Sequence, residues 1–466
     1  MNNIILQNYN NLLKKVLFDI FSTNLKHQIN KFNINGDVMN YISLLSNIDE
    51  SLCNIAKNTL ISIIESLDKA YLISNERMSK YHIKSYHQRT IMTVFGEVTF
   101  QRTFYKSRIN NKSFCYIDRL LGLKKYDYFD PYLKALIIEY SANNSIPKVA
   151  KYINNLIGNR IKIDDGFKFL SRQTIRNIIL NSKLSITKTE GKKDIENLYV
   201  IADEKWIHTQ NNNNKDVMNK GIVVFEGIKN NKLINKMAFG SRDNSFLKNT
   251  LDYIYESYNT DNIKNIFLMG DGASWIKNLR AELKFNKDTN IIYALDKFHF
   301  KQALHHLCQN NILEDILTHY VLKNMKQDLN KVCECQIKTS PHRSKTIIEK
   351  QKYINNNWLY INNLYRYNLS CPMESQISHI FADLFTSRPK AYSIKMIDKL
   401  TEIRLLFKND FNIKKLYLNN FNSEKILTIN NEFLNYEIYK KRYYNNDVIK
   451  SISKATTDIL YVNRNI

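Results

Sequence analysis

Apolar residues recur at helical spacing near the start of the chain. Leu12, Leu13, Val16, Leu17, Ile20 and Phe21 fall on one face, and Ile61, Ile64, Leu67 and Leu72 follow more loosely. Residues 1–88 are therefore read as a helical N-terminal region. The pattern changes over 89–125. Thr90–Phe95 and Val98–Tyr105 are rich in β-branched and aromatic residues and flank Gly96-Glu97, which reads as a hairpin turn. Val98, Phe100, Arg102 and Phe104 share a face of the second strand, and a short helix is expected around Leu120-Leu121-Gly122-Leu123.

Helical spacing returns over 126–190. Pro147 sits at a helix start, where its missing N–H costs nothing, and Ile146, Val149, Ala150, Ile153, Leu156 and Ile157 form an apolar stripe. Ser171 fits the N-cap of a second helix with Ile175, Ile178 and Ile179 on one side and Arg172, Gln173, Arg176 and Asn177 on the other. Two short helices, the second with a polar basic face, read as a helix-turn-helix-like DNA-binding region. The connection from Gly158 to Leu170 is longer than the tight turn of that motif, so a plain helical linker is the alternative.

From about residue 191 to 408 the pattern is α/β. Leu198–Ala202 is a buried-type strand ending at Asp203, and Gly221–Phe225 and Leu233–Phe239 follow as strands. Asn244–Tyr258 reads as a helix. Ile263–Met269 is a strand ending at Gly270-Asp271, and Ile291–Leu295 is another ending at Asp296. Beyond His299 the spacing is helical. Three strands, a helix and two further strands with acidic residues at strand ends describe an RNase H-like catalytic core. The last stretch, 409–466, is a basic, aromatic tail with Lys440-Lys441-Arg442-Tyr443-Tyr444.

Charge narrows the functional class. The 466 residues carry 68 Lys and Arg against 44 Asp and Glu, a net charge of +24, which is the electrostatic footprint of a polyphosphate partner. The competing explanation is a coding bias that enriches Asn, Ile, Lys and Tyr. Only 11 Gly and 5 Pro interrupt the chain, which favours a helix-rich fold. The six cysteines are scattered; Cys333-Glu-Cys335 lacks a second pair, so neither a disulfide framework nor a structural zinc is expected. Residues 1–21 do not form an unbroken apolar leader, and no run of 18 apolar residues occurs, so the expected setting is cytoplasmic and nucleoid-associated, with no membrane.

Transfer of a phosphoryl group from a DNA backbone needs an activated water or 3′-hydroxyl and charge neutralisation on the leaving oxygen. Two divalent ions held by carboxylates supply both. Asp203 closes the apolar run Tyr199-Val200-Ile201-Ala202, whereas alternation turns Glu204 to the opposite face. Asp271 lies between Gly270 and Gly272, which permit a tight strand-to-helix turn and close approach of a phosphate. A third carboxylate is expected from a helix after the sheet. Glu374, Ile377, Ser378 and Phe381 share a helical face, while Asp383 lies about 180° round and is expected to face solvent. Glu314, Glu334 and Glu349 are rivals within the polar helical stretch before it.

At these residues the chain resembles the ISLre-type, Mutator-like insertion-sequence transposases of the DDE superfamily, over about residues 88–400. The matching strings are Thr93-Val94-Phe95-Gly96-Glu97-Val98, Leu120-Leu121-Gly122-Leu123, Gly270-Asp271-Gly272-Ala273-Ser274-Trp275-Ile276-Lys277, Leu295-Asp296-Lys297-Phe298-His299 and Ser387-Arg388-Pro389. The resemblance implies an α/β RNase H-like core with a long helical insertion at about 300–370. It also implies Asp203, Asp271 and Glu374 as both catalytic and metal-binding triad for Mg²⁺ or Mn²⁺, two ions in all. Asp296 and His299 match an auxiliary D-x-x-H element, read as bracing the strand end, with positioning of a phosphate or water by His299 as the alternative; it is not read as a metal site. Lys277 and Arg388, inside the matching strings, join Arg172, Gln173, Arg176 and Asn177 as candidate DNA contacts. Trp275 and Trp358 are either base-stacking or core. The implied activity is cleavage and strand transfer of element-end DNA into a double-stranded target by a homo-oligomer. The alternatives are a catalytically inactive or domesticated DNA-binding protein, and an RNase H-like nuclease without strand transfer.

Overall fold

The computed structural model describes residues 22, 41–158, 170–184, 191–210, 216–230, 232–308, 310–369, 378–386 and 391–421. After α1 (Tyr41–Leu72) and α2 (Asn75–Lys80), the alternation near residue 95 builds a longer hairpin than its apolar residues predict. β1 (Tyr81–Thr93) pairs antiparallel with β2 (Gly96–Ser107), and β3 (Ser113–Cys115) adds a short third strand. The two-residue loop is Val94-Phe95. Gly96 follows it at φ 105°, a left-handed value open to glycine, so the turn precedes the Gly96-Glu97 pair rather than using it. The expected limit of the helical region at residue 88 falls inside β1. Residues 81–88 are largely exposed on both faces, and that removes the alternation by which a half-buried strand is recognised.

α1 packs on β2: Ile64 joins Val98 and Phe100 in one core, and Thr103 Oγ1 donates to Asp68 Oδ2 at 2.6 Å. α3 (Tyr116–Leu121) presents Asp118 to both Arg89, at 2.9 Å, and Arg102. Three helices follow: α4 (Pro131–Ser141), capped by Asp130; α5 (Ile146–Gly158); and α6 (Arg172–Leu180), capped by Ser171, whose Oγ accepts from Thr174 N at 3.1 Å. Their buried residues, among them Ile153, Ile157, Ile175 and Ile179, share one core with Ile201 and Met269 of the central sheet. Residues on either side of the 190/191 boundary therefore bury one another.

The central sheet comprises β4 (Asn197–Ile207), β5 (Val217–Phe225), β8 (Met237–Ser241), β9 (Asn265–Gly270) and β10 (Asn290–Leu295), in the order β10-β9-β4-β5-β8. β4, β9 and β10 are mutually parallel; β5 runs antiparallel to both β4 and β8. β6 (Gly227–Lys229) and β7 (Lys232–Ile234) form a separate ribbon. The single strand expected over Leu233–Phe239 is thus two, because Asn235 adopts φ 49° and breaks the extended chain between β7 and β8.

Alternation along β4 sorts its side chains to two layers. Leu198, Val200 and Ala202 pack with α7 (Ser245–Ser257) and α8 (Ser274–Glu282). Ile201 and Ile207 pack on the other face with a segment comprising a π-helical turn, Ser378–Ala382, and a short helical piece, Asp383–Phe385, and with a long later helix, Ile394–Lys408. Between sheet and segment run α9 (Lys297–Leu307), α10 (Asn311–Leu322), α11 (Lys326–Thr339), α12 (Ser344–Asn356) and α13 (Trp358–Arg366). These have a core of their own around Phe300, Leu317, Val321, Cys333, Ile347 and Trp358. Asp383–Phe385 is α14 and Ile394–Lys408 is α15.

Candidate functional site: carboxylates on three neighbouring strands

Register brings three aspartates to one level. Ile201 on β4 lies opposite Met269 on β9, and Gly270 lies opposite Leu295 on β10. Two positions beyond Ile201 and Met269 are Asp203 and Asp271; one position beyond Leu295 is Asp296. Neighbouring strands are about 4.8 Å apart, so these positions are lateral neighbours. Ile201, Met269 and Ala294 all belong to the layer covered by 378–386 and α15, and Asp203, Asp271 and Asp296 have the same parity. Asp203 does not end its strand as expected. β4 runs on to Ile207, paired with β5 alone once β9 has ended.

Close backbones make this junction. A Cβ on Gly270 would meet Ile276 at 2.8 Å and the Ala202 carbonyl at 3.2 Å, and Gly272 turns the chain at φ 98°. Asp271 Oδ1 accepts from Ala273 N at 2.9 Å, and Tyr353 Oη from α12 donates to the Asp271 carbonyl at 2.8 Å. Asp203 Oδ1 accepts from Glu204 N at 2.7 Å. Burial pushes the Asp203 carboxyl up to about 6, and the neighbouring Asp271 adds to that; the Glu204 N–H and His299 oppose it.

Asp296 is fully buried and caps α9. Its Oδ2 accepts from His299 N at 3.1 Å and lies 2.8 Å from His299 Nδ1, while Oδ1 has no hydrogen-bond partner among the described residues. The bond to Asp296 holds His299 above the ordinary histidine range. Burial opposes it, and the charges of Asp296, Asp271 and Asp203 add to it. The imidazole thus faces the carboxylate cluster.

The opposite face carries a second polar group. Glu204 Oε2 accepts from Trp275 Nε1 at 2.6 Å, and Lys220, directly across from Glu204 on β5, lies 5.3 Å from the Trp275 ring. Trp275 packs on Phe246 and Trp358 is buried with its Nε1 donating to Asn324 Oδ1 at 2.6 Å, so both indoles are engaged within the protein. Spacing gave no sign of Tyr353 or Asn357, which reach the β9 turn from the helical stretch.

Glu374 and Arg388 lie outside the described residues. The segment just after Glu374 buries Ile380, Phe381, Leu384 and Phe385 on the face that bears Asp203 and Asp271. Phe381 sits so near Gly240 that a Cβ there would come within 2.8 Å. Asp383 is 55% exposed and 3.4 Å from Arg404. Among the rivals, Glu334 and Glu349 are exposed on α11 and α12, and Glu314 lies 3.4 Å from His305. Lys277 is half-buried, donates to Asn357 Oδ1 at 3.0 Å and lies over Tyr360, so it ties α8 to the helical stretch rather than reaching outward. Arg172, Gln173 and Asn177 are exposed on α6, but Arg176 is half-buried, with Nη2 at 3.5 Å from Ser393 Oγ at the start of α15. Among the described residues, no group of three or more His, Cys, Asp or Glu side chains is set to hold a metal ion, and no helix is long and apolar enough to cross a membrane.

The described chain thus centres on a mixed five-stranded sheet flanked by helices, with Asp203, Asp271 and Asp296 level at one end of its parallel strands. The family model of the uncharacterised protein family UPF0236 matches residues 34–420, and the chain belongs to that family. Its relatives include three proteins of Caldanaerobacter subterraneus subsp. tengcongensis. UPF0236 protein TTE0402 is 25% identical over 427 residues, covering 87% of this chain and 82% of the relative. A second, named TTE0610/TTE0881/TTE1053/TTE2432, is 25% identical with 87% of each chain covered. A third, whose name joins eleven such designations from TTE0033 to TTE2212, is 24% identical over 89% of this chain and 85% of its own.

Proposed function

We propose that the chain is a DDE-type transposase of the ISLre-like, Mutator-like kind, built on an RNase H-like core and acting on double-stranded DNA. The observation that carries this reading is the position of Asp203 and Asp271, each two residues beyond the paired Ile201 and Met269 of adjacent parallel strands, on the sheet face covered by the segment that follows Glu374. The strand order β10-β9-β4-β5-β8, with β5 alone reversed, supports the RNase H-like reading. The name that joins eleven designations within one organism fits a coding sequence multiplied across a genome, as mobile elements are.

The donor set suits a hard divalent cation. Asp203 and Asp271 offer carboxylate oxygens; burial above all raises Asp203 to about 6, the neighbouring Asp271 adds to it, and a cation between them would offset both. Asp203, Asp271 and Glu374 would hold Mg²⁺ or Mn²⁺, which when bound neutralises charge on the scissile phosphate and activates the attacking oxygen. The protein's own contribution is positional. Gly270 lets its strand close on Ile276 and the Ala202 carbonyl, Gly272 turns the chain just after Asp271, and Asp296 holds His299 facing both carboxylates.

The test uses duplexes taken from the DNA that flanks the gene, with Mg²⁺. Wild-type protein is expected to nick or cut at the element ends and to join those ends to a second duplex. Glu374→Gln is expected to bind the same DNA without cutting it; cutting at the wild-type rate by that variant would refute the assignment. Cleavage without joined products would move the chain to the nuclease alternative.

A further inference from the structure

We infer that the open end of the β1–β2 ribbon is a second contact for the phosphate backbone of duplex DNA, separate from the carboxylate site. The inference rests on the reading of the chain as a DNA-processing enzyme. His82 is opposite Lys106, and Lys106 is opposite Ser113 on β3, so all three share one face of the sheet. The register shifts between Ile83 and Ser85, which leaves Lys84 as the extra residue of a bulge. Such a residue is re-aimed by the local twist. Here Lys84 Nζ reaches Ser113 Oγ at 3.2 Å and so joins the same face. Arg108 and Lys112 flank the turn between β2 and β3, which Ser107 N closes on the Lys112 carbonyl at 2.9 Å. His82, Lys84, Lys106, Arg108 and Lys112 are all exposed.

What sets this patch apart from the chain's general basicity is the segregation of charge. Between Tyr81 and Ile117 stands one carboxylate, Glu97. It lies at the opposite end of the hairpin and accepts from Tyr128 Oη at 2.7 Å. The inner arginines, Arg89 and Arg102, are engaged by Asp118, so the cations left to solvent gather at the open end. The nearest acid in sequence before the ribbon, Glu76, is 3.1 Å from Lys80. Single-sign charge at this end of the sheet matches the DNA backbone, because its lysines and arginine neutralise phosphates. The ribbon is also held firmly at its other end. Met92 N donates to the Tyr128 carbonyl at 2.6 Å, Asp130 N donates to the Met92 carbonyl at 3.0 Å, and Met92 is buried in the core that includes Ile201. A duplex on the ribbon would therefore have a fixed relation to the catalytic sheet.

The experiment measures binding of a short duplex of unrelated sequence by fluorescence anisotropy as salt is raised. The quadruple variant Lys84→Gln, Lys106→Gln, Arg108→Gln and Lys112→Gln is compared with wild type and with a charge-preserving variant that exchanges Lys for Arg and Arg for Lys at the same positions. At about 0.9 in slope per neutralised phosphate, the glutamine variant should lose about 3 to 4 from the log–log salt slope, and the charge-preserving variant should keep it. A glutamine variant with the wild-type slope would overturn the inference, even if wild-type protein binds and cuts DNA. Loss of polyglutamate binding with an unchanged DNA slope would also overturn it, in favour of an acidic protein partner. If wild-type protein binds no duplex at any salt concentration, the underlying DNA-processing reading falls with it.

Discussion

Asp203→Asn offers a test that needs no knowledge of the DNA substrate. In the metal-free protein Asp203 is largely buried beside Asp271, and its carboxyl is raised to about 6 from 3.8. A raised acid is a cost carried by the folded state once that acid ionises. The unfolded chain ionises near pH 4 and the folded chain near pH 6, so stability falls across that window and the full cost is present above it. A shift of about 2 units corresponds to about 3 kcal/mol, or roughly 2 kcal/mol after allowing for the solvent that still reaches the carboxyl. Asparagine keeps an oxygen for the 2.7 Å bond from Glu204 N and removes the charge. The variant should therefore melt about 4–8 °C higher than wild type at pH 7.5 in the presence of a chelator, taking 2–4 °C per kcal/mol for a unit of this size. The difference should shrink to nothing as the pH falls from 6 to 4. Added Mg²⁺ should reverse the ranking by stabilising wild type and not the variant. Differential scanning fluorimetry at several pH values, with and without Mg²⁺, reads all three. A variant that melts below wild type in chelator at pH 7.5, or a gain that persists at pH 4, would refute the reading that ionising the buried Asp203 beside Asp271 costs the folded state stability.

Gly270→Ala should destabilise by about 1–3 kcal/mol, because its Cβ would press on Ile276 at 2.8 Å and on the Ala202 carbonyl at 3.2 Å; an unchanged denaturant midpoint would show that β4 and β9 are less tightly apposed. His299→Gln should weaken the fold by about 1–3 kcal/mol, since it disturbs the main partner of the buried Asp296. The His299 pKa is raised in the fold, so its contribution is complete below the unfolded value of about 6.5 and is lost as pH rises through the folded value. Melting curves of wild type and variant should accordingly converge toward alkaline pH, and divergence there would contradict the assigned pairing.

Much of the local structure was legible from neighbours in sequence. The apolar runs before Asp203, Asp271 and Asp296 are strands, Asn244–Tyr258 brackets a helix, and Ser171 caps α6, because each depends on residues within a few positions. Phe381 was placed on the same helical side as Glu374, and it packs on the sheet face that bears Asp203. Long-range pairing decided the rest. No spacing rule sets Ile201 opposite Met269 or Gly270 opposite Leu295, yet those two registers are what bring Asp203, Asp271 and Asp296 level. Extension of β4 to Ile207 depends on β5, and the break at Asn235 depends on a backbone angle that its side chain permits but does not demand. Arg176 reads as a DNA contact from its helical face, and only the fold shows that its Nη2 lies 3.5 Å from Ser393 Oγ, 217 residues away. Tyr353 reaches Asp271 across 82 positions. Short-range periodicity thus specified which residues form strands and helices, whereas hydrogen-bond register and packing between distant segments chose which carboxylates meet.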